Sequence, residues 1–218
     1  MKKLDTIFLI PVVVLALSSL WSLEARGQAK ESYDAKEWHH GKVVLATGDS
    51  LFGAVVYHPN KDVVQVELED GAISSFSPVN VSHFVVNDVH SGRPQLFRSL
   101  FWNLGKQNTD FKKPVFFEQL NHGTISIIRR QTGVRSSDKE FAVDPDNPLG
   151  QELAEDVKED YYALLPDGEI VTLKKMQRDL QRLFGNKSDT VKQFVRSNKL
   201  DYNKPNEMLT IVNYFNSL

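Results

Sequence analysis

Short runs of β-favouring residues, separated by turn-forming pairs, fill this sequence as far as Leu173. In one such run Val64 and Val66 alternate with polar residues, a period of two that is typical of a half-buried strand. Asp70-Gly71 follows this run and supplies the positive-φ pair of a tight hairpin. Because alternation of this kind gives no apolar face to a helix, the pattern predicts a mainly antiparallel sheet.

Ten strands are predicted from these runs. They are residues 42–46, 51–57, 62–68, 72–76, 81–86, 94–101, 114–120, 123–130, 161–165 and 169–173. Four meandering strands, one short turn at residues 77–80 and a fifth strand indicate a small SH3-like barrel or a sheet. Residues 131–160 show no periodicity and contain Pro145 and Pro148, so they are predicted to form a long acidic loop.

After Leu173 the apolar residues recur three or four positions apart, which predicts three short helices. Gly185 or Asn186 would end the first helix, Ser188 would cap the second, and Pro205 would begin the third. The predicted buried faces contain Leu173, Met176, Leu180 and Leu183, then Val191, Phe194 and Val195, then Met208, Ile211, Val212 and Phe215. The predicted fold is therefore α+β, with a β-rich domain at residues 38–173 and a helical segment at 174–218.

The N-terminus has the layout of a secretory signal. Lys2 and Lys3 precede an uncharged run at residues 6–23, and small residues lead up to Ala29. We expect cleavage after Ala29, because Pro11 interrupts the run; the alternative is an uncleaved membrane anchor. The predicted location is the periplasm or the outside of the cell, with no membrane span after cleavage, since no later segment is long and apolar enough.

Composition excludes several classes of function. The chain has no Cys, so it cannot form a thiolate zinc site, an iron–sulfur cluster or a disulfide. With 28 acidic against 26 basic residues it lacks the basic surface of a nucleic-acid-binding protein. No Gly-rich phosphate or dinucleotide motif occurs, so no cofactor is expected.

Charge is unevenly distributed along the chain. Residues 138–160 contain nine acidic and two basic residues, whereas residues 171–218 contain nine basic and four acidic ones. Two interpretations follow: both segments are solvated faces, or the acidic loop lies against the helical tail.

Gly48-Asp49-Ser50-Leu51 resembles the signature of GDSL-type esterases and lipases, in which the serine is the nucleophile. The resemblance implies a hydrolase using Ser50, with a helix after the serine and an Asp-x-x-His near the C-terminus. Here residues 52–57 read as a strand, and no His follows His122. The structural interpretation is a hairpin turn in which Gly48 and Asp49 reverse the chain.

Three other candidate sites have ordinary structural interpretations. His39-His40 could bind a surface metal, but adjacent strand residues point to opposite faces. Residues 144–152 have the acidic composition of a calcium loop, but Leu149 occupies the position that requires glycine. The aromatic residues Phe97, Phe101, Trp102, Phe111, Phe116 and Phe117 could form a platform for a glycan or peptide, but strand aromatics usually pack in the core. No catalytic, cofactor or metal residue is therefore assigned.

The strand Gly41-Lys42-Val43-Val44-Leu45 and the terminal residues 211–218, together with the signal segment, resemble exported proteins of Bacteroidota to which no activity is assigned. This resemblance implies export. The function predicted first is a non-catalytic envelope or secreted interaction module with an envelope protein or a glycan as partner. The alternatives are a GDSL-like serine hydrolase using Ser50 and a structural assembly subunit that associates through its sheet edges; the oligomeric state is left open.

Overall fold

The computed structural model describes residues 35–87, 92–106, 111–134 and 156–218, without the side chains of 132–134, 156 and 157. All of them belong to one unit, Tyr33–Leu218. Ten antiparallel strands form a single curled half-barrel sheet. They are β1 (Lys36–Leu45), β2 (Ser50–His58), β3 (Val63–Glu67), β4 (Ile73–Phe76), β5 (Val81–Asn87), β6 (Pro94–Trp102), β7 (Lys113–Gln119), β8 (Ser126–Val134), β9 (Asp156–Leu164) and β10 (Ile170–Thr172). The predicted antiparallel, β-rich architecture is confirmed.

The strand order is β10-β9-β8-β7-β6-β5-β1-β2-β3-β4. The first five strands form a meander with β5 returned beside β1, as the small-barrel prediction requires. However, β5 also pairs with β6 along residues His83 to Asn87. Within the described residues these five strands are therefore one end of a larger open sheet and not a separate closed barrel.

The predicted acidic loop is shorter than expected. β8 continues to Val134 and β9 begins at Asp156, so both ends of the interval 131–160 are strand. The two strands pair from Ser126↔Leu164 to Val134↔Asp156. The prediction was wrong at these ends because polar residues such as Gln131 and Glu159 interrupt the alternation, although they pair across the ladder. Residues 135–155 and the predicted docking of the acidic loop lie outside the described residues, as does the signal segment.

The first half of the sheet is curled around an aromatic core. Phe84 stacks on Phe97 with ring centroids 4.5 Å apart, and Tyr57 and Phe116 meet them at larger angles. Surrounding valines from β1, β2, β3 and β5 complete this cluster. The inward positions are those that alternate along each run, so the burial follows the period of two seen in the sequence.

Asp62 connects the two halves of the sheet. β7 and β8 pair at Glu118↔Arg129, and the next hydrogen-bonded pair would join Phe116 to Gln131. Instead, Asp62 at the end of the β2–β3 turn accepts the Phe116 N–H at 3.2 Å. The Arg130 guanidinium donates to the Phe116 carbonyl at 3.1 Å and to Asp62 at 3.2 Å. This ion pair therefore satisfies the backbone groups that the ladder leaves unpaired.

The C-terminal helical part is also confirmed. Helix α1 (Met176–Phe184) passes through a 3-10 turn (Gly185–Lys187) into helix α2 (Ser188–Asn198), and α3 (Pro205–Ser217) follows. Ser188 does not cap α2 as predicted, because the 3-10 turn already holds Lys187 in a helical conformation and no side-chain cap bond is made. Pro205 begins its helix as expected.

The helices cover β8 and β9 on one face. The buried side chains of the helices pack against Ile127 of β8, Ala163 of β9 and Ile125, which immediately precedes β8. These helix residues are Leu180, Phe184, Val191, Met208, Ile211, Val212 and Phe215. Two asparagines fix this contact: Asn216 accepts the Ile125 N–H and donates to the Ile125 carbonyl, each at 2.9 Å. Asn121 accepts the Ile127 N–H and donates to Asn213 at 2.8 Å. The residues of the predicted apolar faces belong to this core or pack against it, except Phe194, which stacks on Tyr214. The amides set the position of α3.

Candidate functional site

A groove of about 710 Å³, called here the β6 groove, lies between β6, the β7–β8 turn and the β9–β10 turn. One wall is residues 98–101 of β6 with Lys112, and the floor is the β7–β8 turn at Gly123, Thr124 and Ser126. The opposite wall is the β9–β10 turn, whose Pro166 and Gly168 form a tight hairpin with Leu165 N–H bonded to the Glu169 carbonyl. A tight hairpin therefore forms one side of the groove.

Among the described residues, Arg98 and Lys112 are the only charged ones that line the β6 groove, and no described carboxylate lines it. Arg98 donates to the Gln119 side chain at 3.2 Å, which holds the guanidinium on this surface. Neither cation forms an ion pair with a carboxylate within the described part of the chain. The groove is thus positively charged, and its charge is available to an anion.

His83 lies beside Arg98 on the neighbouring strand, and its pKa is sensitive to the positive charge on this surface. The two residues are cross-strand partners of β5 and β6, and Lys42 is close by on β1. Burial, followed by repulsion from Lys42 and Arg98, lowers the pKa of His83 from its ordinary value of 6.5. An added proton is disfavoured here because two cations already occupy the surface.

The lowered pKa of His83 predicts a pH dependence of stability. Between the lowered pKa and 6.5 the unfolded chain binds more protons, so the free energy of unfolding should fall as pH drops below about 6.5. We expect His83→Gln to remove this part of the pH dependence and Arg98→Gln to raise the pKa of His83. Urea unfolding and a proton NMR titration of the His83 ring test both expectations. An unchanged His83 pKa in Arg98→Gln would contradict the contribution assigned to Arg98.

Hydroxyl groups supply the remaining polarity of the β6 groove. The Ser99 hydroxyl donates to the Pro78 carbonyl at 2.6 Å, which leaves its oxygen lone pairs to accept from a ligand. Thr124 and Ser126 add two further hydroxyls on the floor. These groups are suited to a ligand that has many hydroxyls of its own.

The predicted aromatic platform is divided among several environments. Phe97 and Phe116 are buried in the first core, as the structural interpretation expected. Trp102 and Phe117 pack with Tyr162 in a separate cluster. Phe101, however, is 68% exposed and lines the β6 groove. The expectation that these aromatics are core was wrong for Phe101, because β6 at this point has passed the end of its pairing with β5 at Arg98. It was also wrong for Phe111, which is exposed.

Ser50 does not have the surroundings of an esterase nucleophile. It is the first residue of β2 and pairs with Val44, and the strand continues to His58 instead of turning into a helix. Gly48 adopts φ +96°, and its N–H bonds to the Leu45 carbonyl, as in a reversing turn. No hydrogen bond joins Ser50 to an imidazole among the residues that the structure describes. The GDSL string thus occupies a hairpin.

The other sequence candidates do not form a metal centre in the described residues. His39 and His40 are both exposed at a bulge where the β1–β2 register shifts between Trp38 and Gly41. No group of three His, Asp or Glu side chains that could hold a metal ion is found in residues 35–87, 92–106, 111–134 and 156–218. The calcium-like segment 144–152 lies outside these ranges.

A charged network on the helix-facing side of the sheet was not predicted from the sequence. Arg129 binds Glu118 at 2.8 Å and Glu159 at 2.9 Å, and Tyr161 donates to Glu159 at 2.6 Å. Burial and the Glu159 bond raise the pKa of Tyr161 to about 12. Although burial acts in the opposite direction, bonds from Tyr161 and Gln131 lower the pKa of Glu159. Both groups therefore keep one protonation state near neutral pH, unlike a general acid or base.

None of the described helices is long and apolar enough to cross a bilayer. Comparison with protein-family models, curated proteins and solved structures finds no significant match to this chain.

Proposed function

We propose that this chain is an exported, non-catalytic binding module that holds an acidic glycan in the β6 groove. The observation that carries the proposal is the pair of cations, Arg98 and Lys112, in a groove whose described lining contains no carboxylate. A sugar carboxylate or sulfate would gain a charge-assisted hydrogen bond from either cation. The layout of residues 1–29 and the resemblance to exported Bacteroidota proteins support export.

A glycan suits this groove better than a peptide does. β7 pairs with β6 along the whole groove wall, whereas β5 pairs with β6 only as far as Arg98. Ser99, Thr124 and Ser126 offer hydroxyls, and the exposed Phe101 ring gives an apolar surface on which a sugar ring can lie. These are side-chain contacts, which a hydroxyl-rich ligand can use.

The proposal of binding without catalysis is supported by the chemistry of the lining. Among the described residues, Arg98 and Lys112 are the only titratable side chains that line the groove. Proton transfer to a glycosidic oxygen needs a group whose pKa lies near the working pH, typically one of two carboxylates. The described lining of the β6 groove contains no such pair.

Calorimetry with an acidic oligosaccharide tests the proposal. The protein is the chain from Lys30, which retains the whole unit Tyr33–Leu218, and the ligands are hexagalacturonate and the neutral maltohexaose. We expect hexagalacturonate alone to bind, and its affinity to fall with added salt because exposed charges are screened. The double variant Arg98→Gln/Lys112→Gln should bind about tenfold more weakly, ~1.4 kcal/mol for two partly exposed ion pairs.

The matched control is Lys61→Gln/Arg196→Gln, which removes the same charge from exposed positions outside the β6 groove. This control should bind hexagalacturonate like the unmodified chain. Equal losses in the two double variants would show a net-charge effect only and would reject the site. Equal binding of the neutral and acidic sugars would reject the proposed ligand class.

A further inference from the structure

The last strand of the sheet has a free edge. β10 pairs with β9 alone, at Ile170↔Leu164, Val171↔Ala163 and Thr172↔Tyr162. The bonds Leu165 N–H to Glu169 O and Leu173 N–H to Tyr161 O place the hydrogen-bonded positions at residues 169, 171 and 173. In an antiparallel ladder the intervening residues point the other way. The backbone N–H and C=O groups of Ile170 and Thr172 are therefore directed away from β9.

A second cavity, of about 360 Å³, lies along this edge and is called here the β10 cleft. Residues 169–172 form its base, Asn103 and Gly105 of the β6–β7 loop form one side, and α1 forms the other. It shares no lining residue with the β6 groove. The opposite edge of the sheet, β4, lies in neither cavity. The β10 edge thus faces a cavity.

The helix side of the β10 cleft is rich in cations. Lys174, Arg178 and Arg182 line it, against the carboxylates of Glu169 and Asp179. Asp179 is already engaged, since it accepts the Lys175 N–H at 2.8 Å and pairs with Arg178 at 3.1 Å. Lys174 and Arg182 form no ion pair with a carboxylate in the described residues. Their charge is therefore open to an incoming acid.

We propose that the β10 cleft binds an extended acidic peptide segment of another protein, which adds to the sheet as a strand beside β10. Backbone bonds to Ile170 and Thr172 would hold the main chain, and Lys174 and Arg182 would select carboxylate side chains. Strand addition to a free edge gains its affinity from main-chain bonds and its specificity from alternate side chains. This inference does not depend on the glycan proposal.

Fluorescence anisotropy tests the inference with a labelled, capped octapeptide of alternating aspartate and valine, using the chain from Lys30. An octapeptide of alternating lysine and valine is the charge control and should not bind. Two further peptides are N-methylated, one on the aspartate amides and one on the valine amides, so that each has one blocked edge. We expect at least one of the two methylated peptides to bind at least tenfold more weakly than the unmethylated acidic peptide. Equal binding of all three acidic peptides would overturn the inference, since no main-chain bond would be involved.

Substitutions separate the two sites. Lys174→Gln/Arg182→Gln should weaken binding of the acidic peptide about tenfold and leave hexagalacturonate binding unchanged. Arg98→Gln/Lys112→Gln should weaken hexagalacturonate binding and leave peptide binding unchanged. Lys61→Gln/Arg196→Gln should affect neither ligand. If all three double variants weaken the peptide equally, the cleft is not its site. Sedimentation velocity tests a second copy as the occupant: a dimer that the acidic peptide dissociates would overturn the assignment to a foreign protein.

Discussion

Replacing Asp62 with alanine is expected to lower the free energy of unfolding by about 3 kcal/mol. The change leaves the Arg130 guanidinium without its carboxylate in a site where the two side chains are only 14% and 17% exposed. It also removes the acceptor for the Phe116 N–H, which has no strand partner. Breaking one half of a largely buried ion pair typically costs ~3 to 5 kcal/mol, and partial exposure places this pair at the lower end. Urea unfolding followed by circular dichroism measures the loss.

Asp62→Asn is the matched variant for this prediction. Asparagine keeps an acceptor for Phe116 and tolerates the positive φ of 54°, but it removes the charge. We expect it to cost about 1 to 2 kcal/mol, between the unmodified chain and Asp62→Ala. If both variants unfold at the urea midpoint of the unmodified chain, the contacts of Asp62 between the two halves of the sheet do not contribute to the free energy of unfolding.

Gly53→Ala is expected to destabilise the protein by about 3 kcal/mol or more, through contact with backbone that cannot move freely. A Cβ atom at residue 53 would come closer to the Glu67 carbonyl of β3 than real Cβ atoms do. The register of β2 and β3 ends at Ala54↔Glu67, so the Glu67 carbonyl lies at the last paired position of β3, directly beside Gly53. Relief would require a shift of β3, whose Val64 and Val66 are fully buried, and overpacking of this kind is costly.

Gly48→Ala provides the comparison for Gly53. Gly48 has φ +96° but no atom within 4 Å of a Cβ, so alanine there meets only the cost of its backbone conformation, about 1 to 2 kcal/mol. Thermal and urea unfolding of both variants would rank them. A smaller loss for Gly53→Ala than for Gly48→Ala would show that β3 relaxes easily and would contradict the close approach of the strands.

Local pattern predicted the strands well and the long-range contacts poorly. Val64 and Val66 alternate with polar residues, and this alternation locates β3 to within a residue at each end. The Asp62–Arg130 pair joins residues that are far apart in the chain, and neither has an unusual neighbourhood in the sequence. Gln131 and Glu159 read as loop because their polar side chains meet each other across the ladder at 2.6 Å, which one strand alone does not reveal.

The β6 groove could not have been predicted for a similar reason. Arg98 and Lys112 flank an ordinary hairpin, and the opposite wall comes from Pro166 and Gly168, which signal only a turn. Phe101 was a candidate within the aromatic group, but its exposure depends on where the pairing of β5 with β6 stops, at Arg98. The glycan-binding interpretation therefore rests on tertiary neighbours, whereas the GDSL string could be judged from the sequence because its catalytic partners are missing.

The hydrophobic cluster beneath α3 also constrains the order in which a newly made chain can mature. Met208, Ile211 and Val212 come from the final stretch of the sequence, yet they complete the packing around Ile127 and Ala163. During synthesis this cluster cannot close until residues 208–212 have left the ribosome, whereas the β1–β5 meander can pair much earlier. The part of the sheet around β8 and β9 therefore acquires its native packing later in synthesis than the β1–β5 meander does.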